Sequence, residues 1–140
     1  MSESGKIEIF KATYPSKREI RKDIINALVN AISQNNIKIK INENELYLII
    51  DEALTNAMEH GNKWDPAKSV SLRMVKNGKH LHLEIKDQGP GFKPESNAID
   101  ANNIKNLKPR GRGIYIIKQF CSPRWSDNGN TVDLQIELVN

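Results

Sequence analysis

Hydrophobic and polar residues alternate in four stretches of the chain, and this spacing predicts β-strands. The stretches are KIEIFKAT near the start, SVSLRMVK and KHLHLEIKD in the middle, and NTVDLQIEL at the end. In the last stretch one face carries Val132, Leu134, Ile136 and Leu138. Asn77-Gly78 separates the two middle stretches, and Asn-Gly between alternating runs predicts a β-hairpin.

Apolar residues at helical spacing predict a first helix after the first strand. Its stripe consists of Ile20, Ile24, Leu28 and Ala31. Ser16 is the predicted N-cap residue, and Glu19 lies three residues later as its capping-box partner.

A second helix is predicted from about Glu43 to Glu59, with Asn42 as its cap and Gly61 as its stop. A third, short helix is predicted for GIYIIKQF. Between the hairpin and this third helix, QGPGFKPESNAIDANNIKNLKPRGRG predicts a long loop, and loops of such length are often functional.

The predicted order is β-α-α-β-β-loop-α-β. This order favours the α+β class, a two-layer sandwich in which a mixed, mostly antiparallel sheet carries helices on one face. A length of 140 residues without internal repeats favours one domain over residues 1–140.

Composition narrows the classes of function. Charged residues make up 27% and the hydrophobic class 38%, which is typical of a globular protein. No apolar run approaches the roughly 20 residues of a membrane span, and MSESGKIEIF lacks a secretory signal. The single cysteine, Cys121, is expected to be a packed thiol in a reduced, cytoplasmic setting.

The net charge of +4 permits an anionic partner. The chain has no lysine and arginine block with interleaved aromatic residues, so we expect no direct binding of nucleic acid. A basic nucleic-acid-binding domain stays as a weaker alternative, and it predicts an affinity that falls steeply with salt.

The stretch DEALTNAMEHGN holds a carboxylate and an amide one helical turn apart. Glu52 and Asn56 lie beside the apolar stripe of Leu46, Ile50, Ala53 and Ala57, on a half-buried flank. Such a pair can be an exposed edge pair. It can also face a cleft, where an amide oxygen ligates Mg²⁺ and a carboxylate acts as general base.

Two further motifs contain glycines. In IKDQGPGF, strand parity puts Asp87 on the core face, and Gly89 and Gly91 allow close backbone approach. In PRGRGIYII, Gly111 and Gly113 lead into a helix beside Arg110 and Arg112, which suits phosphate. Either motif alone is also compatible with an ordinary turn or a loop-to-helix junction.

Taken in order, the three motifs resemble the ATP-binding domain of the gyrase, heat-shock chaperone and histidine-kinase superfamily, the Bergerat fold. DEALTNAMEHGN resembles its N box, DQGPGF its first glycine box and GRGI its second. The resemblance covers nearly the whole chain. Within the superfamily the chain is most similar to the single-domain anti-sigma factor serine kinases. A sensor histidine kinase needs a dimerising helical domain, which we do not expect before Lys6.

This resemblance implies roles for the motif residues. Asn56 would hold Mg²⁺ bridging the phosphates of ATP, Glu52 would orient or deprotonate a serine hydroxyl, and Asp87 would bind the adenine amino group. The glycines would shape the pocket and a lid at about residues 92–110; these are Gly89, Gly91, Gly111 and Gly113. Arg110 or Arg112 would approach the terminal phosphates.

The family further implies partners. The chain would sequester a sigma factor and phosphorylate an anti-anti-sigma (STAS-type) protein, and it would form a homodimer through its first strand and first helix. Two positions depart from the family pattern. Where many members have threonine after the final-strand glycine, Gly129 is followed by Asn130, whose parity with Val132 predicts a polar contact in the pocket. The stretch after the last helix, often acidic, is CSPRWSD, and it leaves a nucleotide-gated binding module without kinase activity as the alternative.

Overall fold

The computed structural model describes residues 5–91 and 109–139. The strands are β1 (Ile7–Pro15), β2 (Ser69–Asn77), β3 (His80–Lys86), β4 (Ser122–Ser126) and β5 (Thr131–Glu137). The α-helices are α1 (Arg21–Gln34), α2 (Glu43–Thr55) and α3 (Pro109–Phe120). A short 3-10 turn at Arg18–Ile20 precedes α1, and a π-helix at Asn56–Gly61 continues α2.

The five strands form one sheet in the order β1-β2-β3-β5-β4, in which every neighbouring pair runs antiparallel. Alternate residues of β3 belong to a core that they share with α1 and α2; these are Leu81, Leu83 and Ile85, each at most 1% exposed. The residues between them are polar. The helices therefore cover one face of the sheet, and the predicted α+β two-layer class is confirmed.

The core also contains the predicted helical stripes. In α1 the buried residues include Ile24, Leu28 and Ala31, while Ile20 is only partly buried before the helix. In α2 and the π-helix the buried set includes Leu46, Ile50, Ala53 and Ala57. Burying each large aliphatic side chain contributes roughly 1.5–3 kcal/mol, so these stripes fix how the helices lie on the sheet.

The hairpin is present, but its turn is displaced by one residue from the prediction. Asn77 pairs with His80, so the two turn residues are Gly78 and Lys79 rather than Asn77 and Gly78. Gly78 adopts a φ of +64°, which is accessible to glycine at little cost. The resulting register places Met74 opposite Leu83 in the core.

The predicted cap of the second helix is confirmed. Asn42 accepts the N–H of Glu45 at 2.8 Å, and the Glu45 carboxylate accepts the N–H of Asn42 at 2.9 Å. The predicted capping box at Ser16 is wrong. A 3-10 turn precedes α1, and the Ser16 hydroxyl instead donates to the Met58 carbonyl at 3.4 Å, where it is buried.

Strand β4 was missing from the predicted order. Its sequence has only two apolar positions, and Pro123 argues against a strand. Because β4 is the edge strand and pairs only with β5, the missing N–H of Pro123 is tolerated there. Trp125, two residues later, lies opposite Val132.

Candidate functional site

Glu52 on α2 and Asn56 at the start of the π-helix share a half-buried flank, as the sequence predicted. Helix α3 packs across this flank. A Cβ on Gly113 would lie 2.8 Å from Glu52 Oε2 and 3.4 Å from both polar atoms of the Asn56 amide. Glycine at position 113 lets α3 approach the carboxylate in this conformation, and a side chain there would displace Glu52 Oε2.

The surroundings of Glu52 favour its protonated form. Burial raises the pKa of the Glu52 carboxyl, the Asp51 carboxylate raises it further, and the Arg21 guanidinium opposes both. Arg21 comes from the start of α1, and its Nη1 donates to Asp51 Oδ1 at 3.0 Å and to Thr55 Oγ1 at 2.7 Å. A carboxyl with a raised pKa is better matched to accepting a proton near neutral pH. Sequence reasoning missed Arg21, because no local pattern signals a contact across 30 residues.

Asp87 follows β3 on its buried face, as strand parity predicted, and is 4% exposed. Its Oδ1 accepts the N–H of Gly89 at 2.8 Å, and its own N–H donates to the Asn130 carbonyl at 2.9 Å. Gly61 packs against the Asp87 carboxylate and Gly89 packs against the Gly61 carbonyl, so closely that a Cβ on either glycine would collide. The turn after β3 is thus held close to the end of the π-helix.

The π-helix and the residue after it position this turn. Within the π-helix the wider turn is closed by the Asn62 N–H, which donates to the Ala57 carbonyl at 2.9 Å. Asn62 is fully buried; its Nδ2 donates to the Ser69 carbonyl at 2.9 Å and its Oδ1 accepts the N–H of Gln88 at 2.8 Å. π-helical turns are rare and are frequent at functional sites. Sequence reasoning missed Asn62, since a polar residue after a helix-ending glycine ordinarily predicts a loop.

A pocket opens between the π-helix, the end of β3 and the start of β5. Its empty volume is about 300 Å³, which includes space open to solvent. Three polar side chains converge on it, those of Asn56, Asp87 and Asn130. The other side chains that line it are apolar: Ala53, Ala57, Ile85, Ile117, Trp125 and Val132. Apolar walls with a few convergent polar groups are typical of small-molecule sites.

Asn56 belongs to both parts of the site. It lines the pocket with Asp87 and Asn130, and it also faces Gly113 beside Glu52. Asn130 lies on the pocket side, as its parity with Val132 predicted, and its Nδ2 donates to the Gly89 carbonyl at 3.2 Å.

The second glycine motif differs from the prediction. Helix α3 begins at Pro109, so Gly111 and Gly113 lie within its first turns rather than before it. Proline is favoured at the first position of a helix. Each glycine lowers helix stability by only about 1 kcal/mol, so the helix can begin at Pro109, before the two glycines. Both glycines are buried, whereas Arg112 is exposed and does not line the pocket.

The predicted lid falls almost wholly outside the described residues, as does the side chain of Arg110. Gly91, the last described residue before it, has a φ of +83° and packs against the Asn128 carbonyl, where a Cβ would collide. Both features require glycine.

The described ranges were also compared with the requirements of a membrane-spanning helix, a metal-binding cluster and a reactive cysteine. No helix there is long and apolar enough to cross a membrane. No cluster of three or more His, Cys, Asp and Glu side chains in these ranges is arranged to hold a metal ion by itself. Burial, and then the Asp133 carboxylate, raise the pKa of the Cys121 thiol to about 12, which agrees with the packed thiol that the sequence predicted.

The fold is an antiparallel sheet with helices on one face. The site combines a glutamate and an asparagine on the flank of one helix with a buried aspartate beside close-packed glycines. Together these features define the class of histidine kinase-like ATP-binding domains. The profile of the histidine kinase-like ATPase domain matches residues 15–136. The chain belongs to this family.

Two kinds of protein are found among the curated relatives of this chain. The anti-sigma F factor of Anoxybacillus flavithermus is 31% identical over 78 residues, which are 54% of this chain and 53% of that protein. The anti-sigma F factor of Shouchella clausii is 32% identical over 79 residues, 55% of this chain and 54% of that protein. The sensor protein VraS of Staphylococcus aureus is 26% identical over 96 residues, 69% of this chain and 26% of that protein. The chain thus spans about half the length of the anti-sigma relatives that it matches and about a quarter of the sensor.

Proposed function

We propose that this chain binds ATP with Mg²⁺ and acts as an anti-sigma factor with serine kinase activity. The position of Asn56 carries the proposal. Its amide links the pocket that contains Asp87 and Asn130 to the flank that contains Glu52. A nucleotide with its base at Asp87 and its phosphates near Asn56 would therefore have its reacting end near Glu52.

The donor set fits a magnesium nucleotide. Mg²⁺ is usually held by one or two protein oxygens together with substrate phosphates, so the Asn56 amide oxygen suffices without a cluster of acidic ligands. When bound, Mg²⁺ neutralises charge on the phosphate oxygens during transfer. At the other end, the buried Asp87 carboxylate is an acceptor suited to the amino group of adenine.

In the proposed reaction a serine hydroxyl oxygen of a protein substrate forms a bond to the γ-phosphorus. The bond between that phosphorus and the bridging oxygen breaks, ADP leaves, and the hydroxyl proton passes to Glu52. The raised pKa of the Glu52 carboxyl supports this role, because it makes the carboxylate a stronger base than an exposed glutamate. Positioning and charge neutralisation account for most of phosphoryl-transfer catalysis, so few side chains are needed.

The proposed partners follow from the similarity to anti-sigma F factors. The chain would bind a sigma factor, and it would phosphorylate a serine of an anti-anti-sigma protein of the STAS type. The added phosphate charge at their interface would release that protein. We also propose a homodimer through β1, which is an edge strand and whose Ile7 is 51% exposed.

A second candidate is a nucleotide-gated binding module without phosphoryl transfer. The close approach of α3 to Glu52 favours it, because α3 in this position restricts the access of a serine hydroxyl to the carboxylate. The two candidates differ in one product: only the kinase leaves phosphoserine on the partner, and mass spectrometry detects it.

The first experiment is calorimetric binding of ATP and ADP, with and without Mg²⁺. Wild type is compared with Asn56→Ala and with the control Asn30→Ala, which changes an exposed asparagine on α1. We expect Mg²⁺ to strengthen ATP binding to wild type and to the control, and Asn56→Ala to lose this gain. Absence of nucleotide binding to wild type would reject the proposed function.

The second experiment measures transfer of labelled phosphate from ATP to a STAS-type protein of the same organism. Glu52→Ala should lower the rate by about 10²–10⁴-fold, the range for removal of a general base. Glu84→Ala, which removes an exposed carboxylate on the far face of the sheet, should leave the rate unchanged. An undiminished rate with Glu52→Ala would remove Glu52 from the mechanism.

A further inference from the structure

The pairing of β2 with β3 ends just before the candidate site. The last pair of this ladder is Ser71 with Lys86. The same register would place Ser69 opposite Gln88, two residues further along each strand. The Asp87 N–H donates to the carbonyl of the residue that precedes β5 at 2.9 Å. N–H groups alternate in direction along a strand, so in a continued antiparallel ladder the Gln88 N–H would point toward β2, and Ser69 and Gln88 would exchange two hydrogen bonds.

Two side-chain amides take the place of these two hydrogen bonds. The Gln88 N–H donates to Asn62 Oδ1 at 2.8 Å, and Asn62 Nδ2 donates to the Ser69 carbonyl at 2.9 Å. The fully buried Asn62 amide therefore lies between the two backbones. The Ser69 N–H donates to the side chain of Gln88, at 2.7 Å from Oε1, and not to its carbonyl. The ladder is thus opened by the width of one amide, while both N–H groups at its end stay paired.

The two amides tie the backbone beside Asp87 from two sides. Asn62 directly follows the π-helix, and its bond to the Gln88 N–H fixes the turn after β3 relative to this helix. Gly61, the last residue of the π-helix, packs against the Asp87 carboxylate. The Gln88 side chain fixes the same turn relative to the first residue of β2. Because Gln88 directly follows Asp87, a displacement of this turn would move the carboxylate within the pocket.

We propose that Gln88 is a positioning residue for nucleotide binding, whose side chain holds the Asp87 carboxylate where it meets the base. The inference rests on the proposed binding of ATP and adds a residue that acts without touching the nucleotide. Gln88 is exposed and does not line the pocket, so its effect passes through its bond to the Ser69 N–H. Asn62 supports the same turn, but it is buried and needed for stability, so Gln88 is the residue to vary.

The test uses one variant that removes the acceptor and one that keeps it. Gln88→Ala removes Oε1 and leaves the Ser69 N–H without its side-chain partner, whereas Gln88→Glu offers a carboxylate oxygen in the same place. The control is Gln34→Ala, which shortens an exposed glutamine at the end of α1. Calorimetry measures the affinities of wild type and these three variants for ATP and ADP, with and without Mg²⁺.

We expect Gln88→Ala to bind ATP and ADP about three- to tenfold more weakly than wild type, the range for loss of one hydrogen bond. The gain in ATP affinity that Mg²⁺ causes should be unchanged, because it depends on the phosphate end of the site. Gln88→Glu should bind both nucleotides as wild type does, since a carboxylate oxygen accepts the same N–H. Gln34→Ala should also bind as wild type does.

Three results would overturn the inference and leave the proposed function standing. The first is an unchanged ATP affinity in Gln88→Ala, and the second is an equal loss of affinity in Gln88→Glu. The third is loss of the Mg²⁺ gain in Gln88→Ala, which would show a general distortion of the site and not a displaced Asp87. Absence of nucleotide binding to wild type would overturn both the inference and the proposed function.

Discussion

A Gly113→Ala substitution tests the closest contact in the candidate site. The new methyl group would lie 2.8 Å from Glu52 Oε2, nearer than carbon and oxygen atoms approach without a hydrogen bond. The atom that must move is the free end of a side chain, so Glu52 is displaced and the helix backbone stays. The Asn56 amide, at 3.4 Å, need not move.

Two opposing effects set the change in the free energy of unfolding that Gly113→Ala causes. Alanine within a helix is more favourable than glycine by about 1 kcal/mol, and Gly113 lies inside α3. Forcing Glu52 out of its preferred rotamer costs about 0.5–1.5 kcal/mol. In the wild-type background the two effects nearly cancel. In a Glu52→Ala background only the gain is left, about 1 kcal/mol or roughly 4 °C in Tm.

Urea unfolding of wild type, the two single variants and the double variant measures this coupling. We expect a coupling free energy of about 1 kcal/mol between positions 52 and 113. Pairing Gly113→Ala with Glu84→Ala, which removes an exposed carboxylate, should give additive effects. Additivity for the Glu52 pair as well would refute the contact between α3 and the carboxylate.

Three further predictions follow from buried groups. Asn62→Ala leaves the Ser69 carbonyl and the Gln88 N–H without their side-chain partner. In urea titrations it should lower the free energy of unfolding by about 2–4 kcal/mol. The control Asn44→Ala, at an exposed position, should change that free energy by less than about 0.5 kcal/mol. Folding raises the pKa of the Glu52 carboxyl above its ordinary value of 4.5. The contribution of Glu52 to stability is therefore full below pH 4.5 and is lost as the pH rises through the pKa of the folded state. Glu52→Gln should consequently unfold at a higher urea concentration than wild type at pH 7 and show no such gain at pH 3. Because the pKa of the Cys121 thiol is about 12, iodoacetamide at pH 8 should alkylate the native chain more than about 100-fold more slowly than the urea-unfolded chain, and similar rates would show an exposed thiol.

What the sequence predicted well was set by neighbours along the chain. The capping box of Asn42 and Glu45 involves residues three apart, and its geometry is local. The burial of Asp87 followed from the two-residue period of β3. The box at Ser16 failed because a tertiary contact with Met58 competes for the same hydroxyl.

The part of the site that could not be predicted depends on contacts distant in sequence. Arg21 reaches Asp51 from another helix, and Asn62 reaches the turn after β3. Trp125 lines the pocket from the edge strand β4. The sequence pattern did not predict this strand, because Pro123 argues against it. Each of these contacts exists only once the helices lie on the sheet, so no local rule contains it.

The change from α-helix to π-helix explains how one segment serves both ends of the site. Up to Thr55 the α-helical spacing places Glu52 on the flank that faces α3. From Asn56 onward each turn contains about one extra residue, and successive residues are rotated relative to a continued α-helix. The segment consequently ends with Gly61, and not with the side chain of His60, against the Asp87 carboxylate. If the π-helix instead continued as an α-helix, a bulky residue would face that carboxylate, and the turn with Gly89 could not approach.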